Sequence, residues 1–218
     1  MDDWFQQCST YESVLYTEPG LVKPLPVSQY GQRLVLKRLR KLNPELLGPF
    51  LNRRLAFFFE PGSFEDFVVH ILDVYKENKV TLGPKFLSTH LRTITNHWCT
   101  NRRFGRDAAE CLFGCNAGHD GITHALLCPR FQSEVQLVLR LPANALTLHG
   151  LLLFIADGAC VHSLVASKIL IYVYLCFNAH NSCRHGKKLN TRLVRFLMRH
   201  LILRNPRIQK FVVRFRNR

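Results

Sequence analysis

Three cysteines and one histidine stand within eighteen residues of one another in mid-chain: Cys111, Cys115, His124 and Cys128, in the segment CLFGCNAGHDGITHALLC. The pattern is C-x3-C-x8-H-x3-C. Thiolate sulfur and imidazole nitrogen are the donors that zinc takes at tetrahedral corners, about 2.0 to 2.3 Å from the metal. Two cysteines with three residues between them can both point inward from a tight turn, and Gly114 permits the backbone such a turn needs. His124 and Cys128 are four apart, so on a helix they share a face. Four protein ligands leave no open position, which predicts a structural zinc rather than a catalytic one. His119 is a spare ligand that fits less well, because it falls in the loop. The plainer alternative is a set of buried thiols that never meets a metal, since free cysteine is among the most buried residue types. The density of donors and the glycine in the first pair favour the metal.

The chain has eight cysteines, the others being Cys8, Cys99, Cys160, Cys176 and Cys183. The N-terminus opens on Asp2 and Asp3 rather than on a basic start and an apolar run, so no secretory signal is expected. That points to a reduced, intracellular compartment, where clustered Cys and His read as metal ligands rather than bridges. Cys160 and Cys176 read as core positions of one apolar helix, and Cys99 reads as packing beneath the metal segment.

The sequence carries none of the familiar catalytic patterns. There is no phosphate-cradling glycine loop, no H-E-x-x-H helix and no G-x-S-x-G elbow. Phe154-Ile155-Ala156-Asp157-Gly158 resembles a polymerase metal loop only superficially. Such a site needs paired carboxylates, and Gly158 follows Asp157, so the segment reads as a turn. The expectation is a chain that is not an enzyme.

The charge is uneven. The formal net charge is +15 over 218 residues. From Arg184 to Arg218 there are twelve Lys or Arg and no Asp or Glu; the preceding 183 residues hold eighteen basic and fifteen acidic. A local basic field of this kind attracts polyanions. Nucleic acid, RNA or DNA, is the expected partner; a solvated basic tail or an anionic membrane surface is the blander reading. The same tail has the composition of a nuclear import signal.

Helical periodicity dominates, so the expected fold class is mainly α: an irregular helical domain with a small zinc knuckle in the middle. Residues 1–27, with Pro19, Pro24 and Pro26, read as a loose N-terminal lead-in. Residues 28–183 read as the helical domain containing the knuckle 111–128, and 184–218 as a basic C-terminal helix and tail. A first helix from Ser28 is expected to end at Pro44. Phe57, Phe58 and Phe59 precede Pro61 and Gly62. Ser63 then caps a helix running to about Lys79 that buries Phe67, Val68, Ile71, Leu72 and Tyr75. Pro84 suits the first turn of another, with Phe86, Leu87, Leu91, Ile94 and Trp98 on one face. Asn101 to Asp107 reads as a polar connector. Further helices are expected over Phe131–Leu141 and about Leu146–Ile155. A long apolar helix should then run from the turn at Asp157 and Gly158 to about His180. The stretch Ala159–Phe177 is almost long enough to span a bilayer, but Lys168 in mid-span argues for a buried core helix. The tail carries one amphipathic helix, with Leu189, Leu193, Phe196, Leu197 and Leu201 at helical spacing and Arg192, Arg195 and Arg199 on another face. After Pro206, Val213 and Phe215 alternate with arginines, as in a short strand or a disordered end.

Arg92, Arg102, Arg103, Arg106 and Arg130 stand around the cysteine segment, with Trp98 and Phe104 interleaved. Arginines contact phosphates and aromatic rings stack on unpaired bases. Trp98 reads as core; Arg102 and Arg103 read equally well as phosphate contacts or as a solvated face. Arg102, Arg103, Lys187, Lys188, Arg192, Arg195 and Arg199 are the candidate nucleic-acid contacts.

The stretch from about Arg92 to Arg130 resembles the C-terminal, post-thumb region of non-LTR (LINE-type) retrotransposon reverse transcriptases. The resembling residues are Asn96, Trp98, Thr100, Arg102, Arg103 and Phe104. Cys111, Phe113-Gly114-Cys115, Asp120 ahead of His124, and Cys128-Pro129 follow. Ala179-His180-Asn181 and Arg184-His185 resemble dinoflagellate versions. The resemblance implies zinc on the four positions already singled out and binding of template RNA or target DNA. It also implies a piece without polymerase activity, because the palm with its paired aspartates and any endonuclease are missing. A zinc-held protein-interaction surface and a non-functional retroelement fragment are the alternatives.

Overall fold

A computed structural model describes residues 44–59, 65–100, 110–116 and 119–211. The fold is mainly α. Eight α-helices are described: α1 Pro44–Leu55, α2 Glu65–Thr81, α3 Pro84–Ile94, α4 Ile122–Leu127, α5 Pro129–Leu139, α6 Leu148–Leu153, α7 Ser163–Arg184 and α8 Thr191–Arg204. Short 3-10 turns occupy Ala143–Ala145 and Pro206–Phe211, and a two-stranded antiparallel hairpin pairs β1 Ile155–Ala156 with β2 Ala159–Cys160.

α7 is the axis of the core. Ile169, Leu170, Ile171, Tyr172 and Val173 are consecutive and all buried, which on a helix means that every face is covered. The helix is long and apolar enough to cross a membrane by length and composition, yet most of it is buried inside this fold. Its polar groups are met locally: Ser167 Oγ donates to Asn78 Oδ1 at 2.6 Å, and Lys168 Nζ donates to the Arg140 carbonyl at 3.4 Å.

α3 packs along α7, with the Phe86 and Tyr174 rings 4.5 Å apart. His90 of α3 is fully buried and stacks on Phe154 at 4.7 Å. Its Nε2 lies 2.9 Å from the Leu151 carbonyl and its Nδ1 2.7 Å from the Tyr75 hydroxyl. A carbonyl only accepts, so Nε2 carries the proton and Nδ1 accepts from Tyr75. Burial lowers the His90 pKa to about 4, so the ring is neutral. Trp98 is core, as its type suggests, but it hangs from the turn beyond α3. There its indole N–H reaches Thr93 Oγ1 at 3.0 Å.

Several boundaries differ from those read off the sequence. The helix expected over 28–43 and the cap at Ser63 lie outside the described residues. Pro44 opens a helix, α1, where it was expected to close one; the first turn has no use for the missing N–H. α5 starts on Pro129 and stops at Arg140, whose φ of 48° is left-handed. α6 starts after the Thr147 side-chain cap and ends at Phe154, again left-handed at φ 58°. The long apolar segment is not one helix from the turn onward. Asp157 and Gly158 have φ of 50° and 76°, and two successive positive φ values match the turn that joins the two strands of a tight hairpin. Cys160 consequently lies exposed on β2 rather than in the core. Beyond Pro206 the chain forms a 3-10 turn as far as Phe211; Val213 and Phe215 lie outside the described residues.

The basic segment is fastened at both ends of α8. Asn190 caps the helix by accepting from the Leu193 N–H at 2.9 Å. Leu193, Val194, Met198 and Leu201 are buried. Past the C-terminus, Asn205 Nδ2 donates to the Leu82 carbonyl at 2.9 Å and Arg207 to the Val80 carbonyl at 2.8 Å. Val80 stands in the last turn of α2 and Leu82 just beyond it, where intrahelical partners for the carbonyls run out.

Candidate metal centre

The knuckle begins where Glu110 and His119 form an isolated antiparallel bridge. The chain turns at once: the Gly114 N–H donates to the Cys111 carbonyl at 2.8 Å, with Gly114 at φ 73°. Cys111 and Cys115 therefore stand on either side of one tight turn. The return limb enters α4, whose first turn is closed by Ala125 N–H on the Gly121 carbonyl at 2.8 Å. His124 lies on α4. Cys128 is the hinge between α4 and α5, with φ −58° and ψ 119°, so it sits just past the helix rather than on it.

The ligand atoms of Cys111, Cys115, His124 and Cys128 all lie within 4.8 Å of one another. Cys111 Sγ and Cys128 Sγ are 3.8 Å apart, and Cys115 Sγ is 3.1 Å from His124 Nε2. Two sulfurs at about 2.3 Å from a tetrahedral ion would stand about 3.8 Å apart. The sulfur pair already has that separation, and the sulfur–nitrogen pair is closer than the roughly 3.5 Å of a loaded site. The four residues can hold a metal ion, and the soft donor set suits zinc. All seven described cysteines are free thiols, and the four-residue group is the metal-ligating cluster found among the described residues. His119 is exposed on the bridge, outside the group.

Burial sets the protonation of these donors. It raises the Cys111 pKa and pushes the Cys128 thiol up to about 12. It lowers that of His124, with the neighbouring His119 charge adding to the effect. Metal-free, burial thus favours neutral thiols at Cys111 and Cys128 and a neutral imidazole at His124. A metal must displace the thiol protons, so binding weakens as pH falls.

The supports of the knuckle come from α5 and α7. α4 has only six residues, too few to hold its own hydrogen bonds in isolation. Its late carbonyls are met from α7: Tyr172 Oη donates to Leu126 at 2.6 Å, and Cys176 Sγ to Ala125 at 3.3 Å. Asp120 Oδ1 accepts from His180 Nε2 at 2.7 Å, with both side chains 2% exposed. Phe113 stacks on Phe131 of α5 at 5.1 Å. Arg130 donates to the Gly114 carbonyl at 2.9 Å and, with its other terminal nitrogen, to the Leu189 carbonyl at 3.4 Å. One guanidinium thus joins the knuckle turn to the start of the basic segment. Gly114 leaves room for it: a Cβ there would stand 2.6 Å from Arg130 Nη1.

The structure brings the four predicted ligands together. Of the predicted nucleic-acid contacts, Lys187, Lys188, Arg192, Arg195 and Arg199 are exposed on or just before α8, while Arg102 and Arg103 lie outside the described residues. Sequence reasoning missed the roles of Arg130, Tyr172, Cys176 and the Asp120–His180 pair. Only His180 gave a usable signal, since a histidine inside an apolar helix needs a polar partner. No family model matches the chain, and neither a curated protein nor a solved structure does.

Proposed function

We propose that this chain is a zinc-stabilised nucleic-acid-binding module without polymerase activity of its own, related to the C-terminal region of a non-LTR retroelement reverse transcriptase. The observation that carries the reading is the convergence of Cys111, Cys115, His124 and Cys128, joined through Arg130 to the segment that bears the basic helix. When bound, zinc supplies a cross-link between the two limbs of the knuckle. The protein's own residues do the rest. Arg130 carries the position of the knuckle turn to Leu189, and α8 presents Arg192, Arg195 and Arg199 outward. Like charges at three- and four-residue spacing destabilise a helix, and among the described residues no carboxylate pairs with Arg192 or Arg199. A polyanion offsets that repulsion. Phosphate contacts of this kind bind with little sequence preference and weaken steeply with salt.

The test has two stages. Zinc content is measured on wild type and on Cys115→Ser, each purified without added metal. About one zinc per chain is expected in the wild type and a loss of zinc with loss of knuckle structure in the variant. Oligonucleotide affinity is then followed against salt for wild type and for the Arg192, Arg195 and Arg199 triple alanine variant. Removing three phosphate contacts should lower the slope of log K on log salt by about 2. A zinc-bound fold whose slope is unchanged in the triple variant would refute the assignment of those arginines. A fold that binds zinc and no nucleic acid would favour a protein-interaction module or a non-functional fragment.

A further inference from the structure

The cationic face of α8 has an aromatic side chain at its centre. Phe196 is 57% exposed, although its helix buries Val194, Met198 and Leu201 on the opposite side. Arg192 precedes it by four residues and Arg199 follows by three, so all three share one face. These arginines span about 10 Å along the axis, at about 1.5 Å per residue. Lys187 Nζ lies 5.8 Å from the Phe196 ring centroid. The His200 ring is nearly parallel to it, with 16° between planes and 6.1 Å between centroids. An exposed ring contributes little to the burial that holds the fold together, so stability does not account for Phe196.

The composition decides what would cover it. No acidic residue occurs from Arg184 to Arg218, so the partner is a polyanion. A flat ring among phosphate-binding arginines matches a polyanion that carries flat rings of its own. In a duplex the base faces are stacked on each other; only an unpaired base can offer one. An acidic peptide would use the arginines but would gain nothing specific from the ring.

We infer that this face of α8 binds single-stranded nucleic acid, with Phe196 as the stacking platform for an unpaired base, His200 extending it, and Arg192 and Arg199 on the flanking phosphates; the inference rests on the nucleic-acid reading above. Lys187 then turns from the ring to a phosphate as the base arrives.

The experiment is fluorescence anisotropy on the full zinc-loaded chain with three labelled probes about twelve nucleotides long. They are a mixed-sequence single strand, its duplex, and an abasic strand of the same length and charge. The single strand should bind more tightly than the duplex and the abasic strand. Phe196→Leu keeps an apolar side chain and removes the flat ring. It should weaken single-strand binding about tenfold and leave abasic binding and the melting temperature unchanged. Phe196→Trp should restore or tighten single-strand binding. Equal binding of single strand and duplex with no effect of Phe196→Leu would overturn the inference and leave the nucleic-acid reading standing. An equal loss on the abasic strand would also overturn it, because the ring would then not be contacting a base. Failure to bind any of the probes would end both.

Discussion

The knuckle and the basic helix are neighbours joined by one arginine, and they are built on opposite plans. The knuckle gains little from regular structure. α4 has six residues, the turn at Gly114 is left-handed, and the donors that matter point inward. α8 is fourteen residues long, side-chain capped at Asn190, and buries one apolar stripe while its charges face outward. In the first region the candidate functional groups are also the structural ones. In the second they are separable, because the buried leucines hold the helix and the exposed arginines do not. Damage to the knuckle should therefore register as lost stability, and damage to the face of α8 as lost binding on an intact fold.

The strongest way to break the knuckle without touching a metal ligand is Asp120→Ala. His180 Nε2 would lose its acceptor while remaining buried, and His180 Nδ1 already has no partner among the described residues. Leaving such a ring unsatisfied costs about 3 kcal/mol. Urea denaturation should show that loss, and the variant should also hold zinc more weakly. A variant as stable as wild type would mean that the Asp120–His180 pair does not fasten the knuckle to α7.

The same contrast explains what could be read from the sequence. The metal donors were legible because their spacing is local: C-x3-C on a turn, and a histidine and cysteine one helical turn apart. The basic face of α8 was legible because composition and helical period agree over the whole element. What could not be read depends on distant partners. Asp120 meets His180 across sixty residues and Arg130 meets Leu189 across fifty-nine, and one sequence carries no sign of either pairing. The hairpin at Ile155–Cys160 was missed for a different reason. Its strands have two residues each, too few for alternation to emerge beside the apolar run that follows. The placement of Cys160 was wrong for the same reason.

Acid offers a second test, because it acts on the frame that carries both regions. The folded His90 pKa is about 4, below the ordinary histidine value near 6.5. The native state keeps the ring neutral while the unfolded chain takes up a proton. That contribution is complete above about pH 6.5 and is lost as pH falls towards 4, to a total on the order of 3 kcal/mol. His90→Gln removes the titration. The stability difference between wild type and His90→Gln should therefore shrink or reverse between pH 7 and pH 4. Any zinc held at neutral pH is released from both proteins at low pH and cancels in that difference. A difference that stays constant over this range would mean that His90 takes up its proton as readily in the fold as in the unfolded chain.

The finest distinction comes from two glycines, one in each region. Gly114 in the knuckle has φ 73° and Gly186 ahead of α8 has φ 85°. Both left-handed conformations cost an alanine about 1 to 2 kcal/mol. They differ in what the new methyl group meets: at Gly186 there is nothing within 4 Å, and at Gly114 it stands 2.6 Å from Arg130 Nη1. Gly186→Ala should therefore cost about 1 kcal/mol of backbone strain alone. Gly114→Ala should cost about 1 kcal/mol more, because Arg130 must give up its bonds to the Gly114 and Leu189 carbonyls. A double-mutant cycle isolates that increment. In an Arg130→Ala background, Gly114→Ala should cost no more than Gly186→Ala does. If the two alanine variants already match with Arg130 in place, the guanidinium moves aside without loss. The knuckle and the basic helix would then be adjacent without being coupled.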